Sequence, residues 1–436
     1  MSGGRPWAGR KIHFVGIGGA GMSGWARVAV QLGAEVSGSD RDQSPALDRL
    51  RALGIAVTVG HDAANVPEGA DIFHSTAIPD DNPERTIGGR TSKPRAELLR
   101  ELTTMAKVIA IAGAHGKTTT SSMAAHALLG AGLEPGYLIG GALTTTGENA
   151  DWGAGEWLVV EADESDRSML ALETDVAVVL NIELDHHTTY GSLRELERVF
   201  DEFRAAAPVR VVAPELAREG DLVFDPGAVT ITQGGSRFSW RGHDVVLSVP
   251  GEHNARNAAA ALEACRQTGA DEAALVSALA SFRGAGRRFQ RLGTTASGAV
   301  VVDDYAHHPT EVAATIAAGR SLGAPRIVAW FQPHLYSRTA QLGRRFGEAL
   351  AAADLVVVSD VYRARERPED FPGVSGLTIA EAAADAGARA VVWMPGLDQA
   401  AAHLGSALRA GDLLLAMGAG DIDTAAHRLL AGAAVR

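Results

Sequence analysis

The sequence predicts three tandem α/β domains. Short β-rich apolar runs alternate with helical patterns along the chain. Gly-rich turns join strand to helix at two places, and successive strands end in clusters of polar residues. A chain of 436 residues is too long for one hydrophobic core and suits two to four domains.

The first series reads "KIHFV", "AEVSGSD", "IAVTVG" and "ADIFHST" as strands, separated by helical patterns such as "SPALDRLRAL". That alternation implies a parallel sheet with covering helices. A second series starts with "KVIAIAG" at 107–113 and continues through "EWLVVEAD", "DVAVVLNI" and "VRVVAP". Helical stretches at 254–268 and 271–282 follow it. A third series runs from "AVVVDDYAHHP" near 299 through "RIVAWFQPH", "ADLVVVSDVY" and "ARAVVWMPG" to "DLLLAMGAGD". The Gly- and Arg-rich "FRGAGRRF" (282–289) reads as a joint. The expected domains are therefore 1–104, 105–284 and 285–436.

Composition narrows the function classes. The net charge of −12 disfavours nucleic acid, because phosphate backbones require a basic surface. A single cysteine, Cys265, excludes intramolecular disulfides and cysteine metal clusters, and its alanine-rich surroundings make it a small core residue. No apolar run reaches about 18 residues and no signal-peptide layout opens the chain, so a cytoplasmic protein without membrane insertion is expected. Lysine occurs only at 11, 93, 107 and 117, with arginine taking every other basic position. Each lysine that remains is a candidate for required chemistry.

Two Gly-rich turns carry the nucleotide signal. Gly16-Ile17-Gly18-Gly19-Ala20-Gly21 fits G-x-G-x-x-G after a strand, and Asp40 lies about twenty residues on, as in dinucleotide-binding (Rossmann-like) domains. Alone it would suit an NAD(P)-dependent oxidoreductase. The second turn, "IAIAGAHGKTTT", places Gly113, Ala114, His115, Gly116, Lys117, Thr118 and Thr119 between strand and helix. Backbone N–H groups there cradle phosphate, lysine adds a point charge and a hydroxyl reaches Mg²⁺. Ile111 stands where the first glycine of G-x-x-x-x-G-K-[ST] would be, so this is a shorter variant whose first glycine is Gly113. An ATP site is the reading.

Further clusters sit at strand ends. Glu161, Asp163, Glu164 and Asp166 crowd "EADESD", where four carboxylates repel one another unless cations lie among them. Asp185, His186 and His187 end the next strand, and His186 could complete an O/N-ligated Mg²⁺ site with Glu161 and the turn hydroxyl. His253, Asn254 and Asn257 open a helix and suit a purine, although an Asn N-cap would explain the asparagines equally well. Arg287 and Arg288 suit a phosphate clamp. Asp303, Asp304, Tyr305, His307 and His308 follow the first strand of the third series, and His334 and Arg338 follow the next.

In this order, "GIGGAGM", "GAHGKTTT", "EADESD", "NIELDH", "PGEHNARNA", "GRRF", "DDYAHHPTE" and "FQPHLYSRT" resemble the Mur ligase family, from residue 11 to about 420. The resemblance implies a Rossmann-like N-terminal domain, a P-loop ATPase-like central domain and a Rossmann-like C-terminal domain. It implies an ATP-dependent amide ligase of peptidoglycan precursor synthesis, joining L-alanine to UDP-N-acetylmuramate as a monomer or homodimer. A recycling branch that attaches a preformed peptide stays open. Gly18, Gly19, Gly21 and Met22 would surround the pyrophosphate, with Ser39, Asp40, Ser75 and Thr76 nearby. Lys117 would meet the ATP phosphates, and Thr118, Glu161 and His186 would hold Mg²⁺ (two ions, or Mn²⁺ in its place). His253, Asn254 and Asn257 would meet adenine and Asp304 the ribose. Arg287, Arg288, Tyr305, His307 and Arg338 would order the triphosphate end and L-alanine, with His307 as candidate base. Two departures stand out: Ala114 replaces a common threonine, and Leu335 replaces an arginine found in many members. The absence of lysine after 117 rules out the carbamylated lysine of other branches.

Overall fold

Apolar runs pair where the pattern placed them. The computed structural model describes residues 5–185, 189–364 and 366–432, and everything below concerns these. Lys11–Val15, with Ile12 and Phe14 fully buried, pairs in parallel with Glu35–Asp40 on one side and Asp71–His74 on the other. Ala56–Val59 and Lys93–Pro94 complete the two edges of this five-stranded sheet. The order reverses across Lys11–Val15, so a crevice opens at its carboxyl end, where the first Gly-rich turn lies. The helix Ala20–Gln31 starts from that turn. Pro45–Ala52 has proline at its first position and buries Leu47 and Leu50, one turn apart.

A seven-stranded sheet follows. Its order is Ala150–Asp151, Gly136–Leu138, Trp157–Glu161, Lys107–Ala112, Val176–Val179, Val209–Val212 and Leu222–Val223. All neighbours are parallel except the first pair. Lys107–Ala112 is buried on both faces after its first residue, as its unbroken apolar run requires. Lys117–Gly130, "KTTTSSMAAHALLG", buries ten of its residues and packs on Glu272–Leu279. The approach is close: a Cβ on Gly130 would lie 2.5 Å from that of Ala278. The two sheets share one apolar cluster, with Trp25, Leu138, Ala150 and Trp152 among its members. Gln31 accepts from the Trp152 amide at 2.9 Å across the join.

The chain divides into two compact units, Met1–Asp225 with Asn257–Leu279, and Pro226–Arg256 with Ala280–Arg436. The first contains both sheets just described. The second holds an antiparallel meander, Thr230–Thr232, Gly235–Trp240 and His243–Leu247, and a six-stranded sheet. That sheet runs Gln290–Thr294, Val300–Asp304, Asp412–Met417, Arg326–Phe331, Leu355–Val358 and Val391–Trp393, parallel except for its first pair. Separate apolar clusters cover its two faces.

The antiparallel pieces are additions to the expected alternation. Arg241 and Gly242, both at positive φ (50° and 85°), make the two-residue turn between Gly235–Trp240 and His243–Leu247. Such a turn carries the twist of a hairpin. The fold class is mixed α/β with parallel sheets, as expected.

Candidate functional site

The second Gly-rich turn leaves the buried strand Lys107–Ala112 through two glycines at positive φ. Gly113 has φ +151°, and a Cβ there would lie 3.0 Å from Leu180 Cβ. Gly116 has φ +82°, and a Cβ would lie 2.6 Å from Asn257 Oδ1. Neither position accepts a side chain without strain. Asn181, just past the neighbouring strand, braces the turn from below. Its Oδ1 accepts the His115 amide at 2.9 Å, its Nδ2 donates to the His115 carbonyl at 3.0 Å, and its carbonyl accepts the Ala114 amide at 3.3 Å. His115 Nε2 lies 2.9 Å from Glu183.

The lone late lysine sits at the centre. Lys117 Nζ donates to the Gly113 carbonyl at 2.6 Å and to both Glu164 oxygens at 2.8 and 3.0 Å. Burial opposes its charge, but Glu164, Asp163 and Glu161 outweigh it, and the lysine stays protonated well above its ordinary range. Thr118 Oγ1 donates to Glu161 Oε1 at 3.1 Å, and Glu161 Oε2 accepts the Gly140 amide at 2.7 Å. A hydroxyl and a carboxylate beside a Gly-rich turn are hard oxygen donors, the set Mg²⁺ takes. His186, the expected third ligand, and His187 lie outside the described residues.

The crowd of carboxylates is resolved by cations. Arg95, from the helix Arg95–Thr103, donates to Asp166 at 2.7 and 3.0 Å and to Asp163 at 3.1 Å. Burial alone would raise Asp163; Lys117, Arg95 and two bonds at Ser165 hold it down at about 2. A cleft lies beside these carboxylates, lined by Gly21, Arg95, Gly140, Glu161, Asp163 and Ser168 among others.

The first Gly-rich turn lies in the same unit, and its Gly21 lines the same cleft. Gly16 (φ +80°) and Ile17 donate to the Ser39 carbonyl at 2.8 and 2.9 Å. Asp40 Oδ2 accepts the Gly18 amide at 2.8 Å, so one oxygen of this carboxylate shapes the turn itself. Ser39 is fully buried, its hydroxyl bonded to Glu84 and His61. Met22 is buried, Gly18 and Gly21 half-buried, and Gly19 exposed; Ser75 is half-buried and Thr76 exposed at the end of Asp71–His74.

In the second unit the expected residues also gather at strand ends. Arg287 (φ +57°) donates to Asp303 and to the Gly418 and Gly420 carbonyls, and Arg288 lies 3.6 Å from Glu311. Both guanidinium groups stand over the Tyr305 ring, about 5 Å from its centroid. Asp304 accepts the Phe289 and Ala306 amides, each at 2.8 Å, and burial pushes its carboxyl up to about 6 against the pull of Arg288. His307 Nδ1 lies 2.9 Å from the Tyr305 carbonyl, and its ring meets those of Tyr305 and His334 edge-on. Arg338 is buried and bonds His334 at 3.0 Å. Leu335 caps the helix Tyr336–Leu350 at φ +72°, a conformation rare outside glycine. His253, pushed down to about 4 by burial, and Asn254, which donates to the Pro250 carbonyl at 2.7 Å, open the helix Glu252–Arg266. Asn257 lies one turn further on, against Gly116.

The profile described as "Mur ligase family, catalytic domain" matches residues 11–106, and "Mur ligase, glutamate ligase domain" matches residues 287–420. A UDP-N-acetylmuramate–L-alanine ligase of Streptomyces coelicolor is 43% identical over 99% of both chains. The chain belongs to the Mur ligase family. Another Mur ligase, the UDP-N-acetylmuramate–L-alanine ligase of Acidithiobacillus ferrooxidans, is 45% identical over 96% of both chains. The crystal structure of the Thermotoga maritima UDP-N-acetylmuramate–alanine ligase superposes with a TM-score of 0.83 at 28% identity, covering 97% of this chain and 98% of that one. A murein peptide ligase from Psychrobacter arcticus shares the fold at 22% identity, with a TM-score of 0.69 over 98% and 99% of the two chains.

Within this Mur ligase, sequence reasoning assigned no role to three side chains that brace the second turn and its acidic neighbours. Asn181 stood inside the run "DVAVVLNI" and the motif "NIELDH" with nothing to mark it as a brace. Arg95 sits in a plain helical pattern. Glu164 was one of four acidic residues with nothing to single it out as the partner of Lys117.

Proposed function

We propose that this enzyme joins L-alanine to the lactyl carboxylate of UDP-N-acetylmuramate at the expense of ATP, in peptidoglycan precursor synthesis. One observation supports it most: a lysine-bearing phosphate turn with a hydroxyl–carboxylate pair shares a compact unit with a second nucleotide-type turn. One turn then serves the phosphoryl donor and the other the handle of a nucleotide substrate. A hydride carrier has no role beside a phosphoryl-transfer site, and relatives at 43–45% identity bear the alanine-adding name rather than a peptide-recycling one.

The substrate carboxylate attacks the γ-phosphorus, the β–γ bridging bond breaks, and ADP leaves with its electron pair. The alanine amine then attacks the acyl carbon of the acyl phosphate, and phosphate leaves as the amine loses a proton. Two anions must approach, so positive charge has to be preorganised around the transferred group. Lys117 supplies it, exchanging its Glu164 contacts for phosphate. Thr118, Glu161 and His186 would hold Mg²⁺, two ions on this reading, which screens phosphate charge when bound. Asn257, His253 and Asn254 would meet adenine, and Asp304 the ribose. Arg287, Arg288, Tyr305, His307 and Arg338 would order the triphosphate and the amino acid, with His307 as the base. On the substrate side Gly18, Gly19, Gly21 and Met22 would cradle the diphosphate, with Ser39, Asp40, Ser75 and Thr76 around the nucleoside.

The domains on this reading are 1–104 for the nucleotide sugar, 105–284 for Mg-ATP and 285–436 for the amino acid. The enzyme works in the cytoplasm, as a monomer or homodimer. No helix among the described residues is long and apolar enough to cross a membrane. The test is phosphate release from ATP, Mg²⁺ and UDP-N-acetylmuramate with L-alanine, glycine, L-serine or a peptide as acceptor. Turnover with L-alanine at the highest kcat/KM is the expected outcome. A preference for the peptide, or release independent of UDP-N-acetylmuramate, overturns the reading.

A further inference from the structure

The turn Gly16–Gly24, "GIGGAGMSG", contains no basic residue, although a diphosphate brings at least two negative charges to it. Amides and the dipole at a helix start offer only about half a charge. Among the described residues that line the adjoining cleft, Arg95 alone carries a positive charge. Its guanidinium is a three-way fork. Nε and Nη2 hold Asp166 and Asp163. Nη1 faces the first turn, 3.6 Å from where a Cβ on Gly21 would stand. The missing side chain at Gly21 leaves that nitrogen open to the cleft. The guanidinium carbon also rests 5.7 Å from the Trp25 ring centroid, one helical turn beyond Gly21. The side chain is thereby held from two sides and stays partly accessible (19%).

We infer that Arg95 is a binding residue for the diphosphate of the nucleotide substrate. Nη1 takes a phosphate oxygen at the Gly21 end of the helix, while the other two nitrogens keep Asp163 and Asp166 in place. Asp163 and Glu164 are neighbours in the chain, and Glu164 is the carboxylate that holds Lys117. Arg95 therefore connects the handle of one substrate to the phosphate turn that serves the other. A planar fork with fixed donor directions can do this; a lysine cannot. The inference rests on the reading of the first turn as the seat of a nucleotide diphosphate.

Calorimetric binding of UDP-N-acetylmuramate, UDP and uridine to the full-length enzyme without ATP tests it, using wild type, Arg95→Gln, Arg95→Lys and Arg10→Gln. Arg10 makes a comparable ion pair with Asp71 and Glu101 away from the cleft and serves as control. Arg95→Gln is expected to weaken UDP-N-acetylmuramate and UDP about tenfold or more while leaving uridine unchanged. It should also raise the KM for Mg-ATP; Arg10→Gln should leave every affinity at the wild-type level. A purely structural clamp would lower the thermal midpoint but leave the folded protein's preference for UDP over uridine intact, and that result overturns the inference. Should Arg95→Gln fail to fold, Arg95→Lys decides: an undiminished UDP affinity sinks the proposal, and a clear loss supports it. If wild type itself does not bind UDP-N-acetylmuramate, the reading of the substrate falls and the inference falls with it.

Discussion

Glu84 shows how a charge can be buried beneath the first Gly-rich turn and be stable there. It is fully buried, yet it accepts from the Ser39 hydroxyl, Asn65 Nδ2 (2.7 Å) and the Asp62 amide (3.0 Å), with His61 Nδ1 3.3 Å and His13 Nε2 3.6 Å away. Burial would raise its carboxyl; nearby His13 and the bonds from Ser39 and Asn65 outweigh it and hold the group at about 2, against 4.5 unperturbed. A lowered carboxyl contributes stability that is complete above the unfolded value and disappears as pH falls towards the folded one. Glu84→Gln is therefore expected to cost about 2–3 kcal/mol at pH 7. In urea titrations the gap from wild type should narrow steadily below pH 4.5, and a gap that stays constant down to pH 3 refutes the account. Lys117 offers a second case. Lys117→Ala should reduce ATP-dependent phosphate release by about 10³-fold or more. It also strands the buried Glu164, so stability should drop by about 2 kcal/mol or more. Adding Glu164→Ala should restore the urea midpoint without restoring phosphate release. A double variant as unstable as the single one would show that the pair is not what sets the loss.

Single elements matter here mainly through their last residues. The Lys107–Ala112 strand was legible because its apolar run is uninterrupted, and the turn after it because a lysine-bearing glycine sequence leads into a helix. What holds the turn up was not legible. Asn181 reaches it only because Val176–Val179 lies beside Lys107–Ala112, and pairing between segments about 67 residues apart is a tertiary fact. The same holds for Arg95, whose acidic partners lie 68 and 71 residues away. Short antiparallel pieces such as Thr230–Thr232 were hidden for another reason: they are exposed, with no buried face to impose an alternating pattern. Asn181→Ala should remove the side-chain bonds to the His115 amide and carbonyl and loosen the turn. The expected result is a KM for ATP raised about tenfold with a smaller change in kcat. Wild-type KM values in that variant would show that the glycine conformations alone fix the turn.

At the scale of the molecule, the two compact units are built from interleaved stretches of chain. The pattern marks a change at "FRGAGRRF", whereas the helix Glu252–Arg266 begins in one compact unit and ends in the other. A helical period carries no mark of which unit each turn will join. Cys265 lies in the part of that helix belonging to the first unit, fully buried, with its thiol against the Ala124 carbonyl at 3.6 Å. Burial pushes this thiol far up, so thiolate chemistry needs the unit to open. The single cysteine is thus a native reporter of opening in the first unit. Its labelling by an aromatic disulfide should be negligible in the native enzyme and fast in denaturant. Where closing outpaces labelling, a ligand that binds only the closed unit slows the reaction by the factor 1 + [L]/Kd, about 100-fold at 100 times Kd. UDP-N-acetylmuramate and Mg-ATP, whose proposed phosphate cradles lie in the first unit, should each protect in this way. L-Alanine alone should not, since Tyr305, His307 and Arg338 belong to the second. Labelling of native protein at the rate of a free thiol, or equal protection by L-alanine, would contradict this division of the sites between the units.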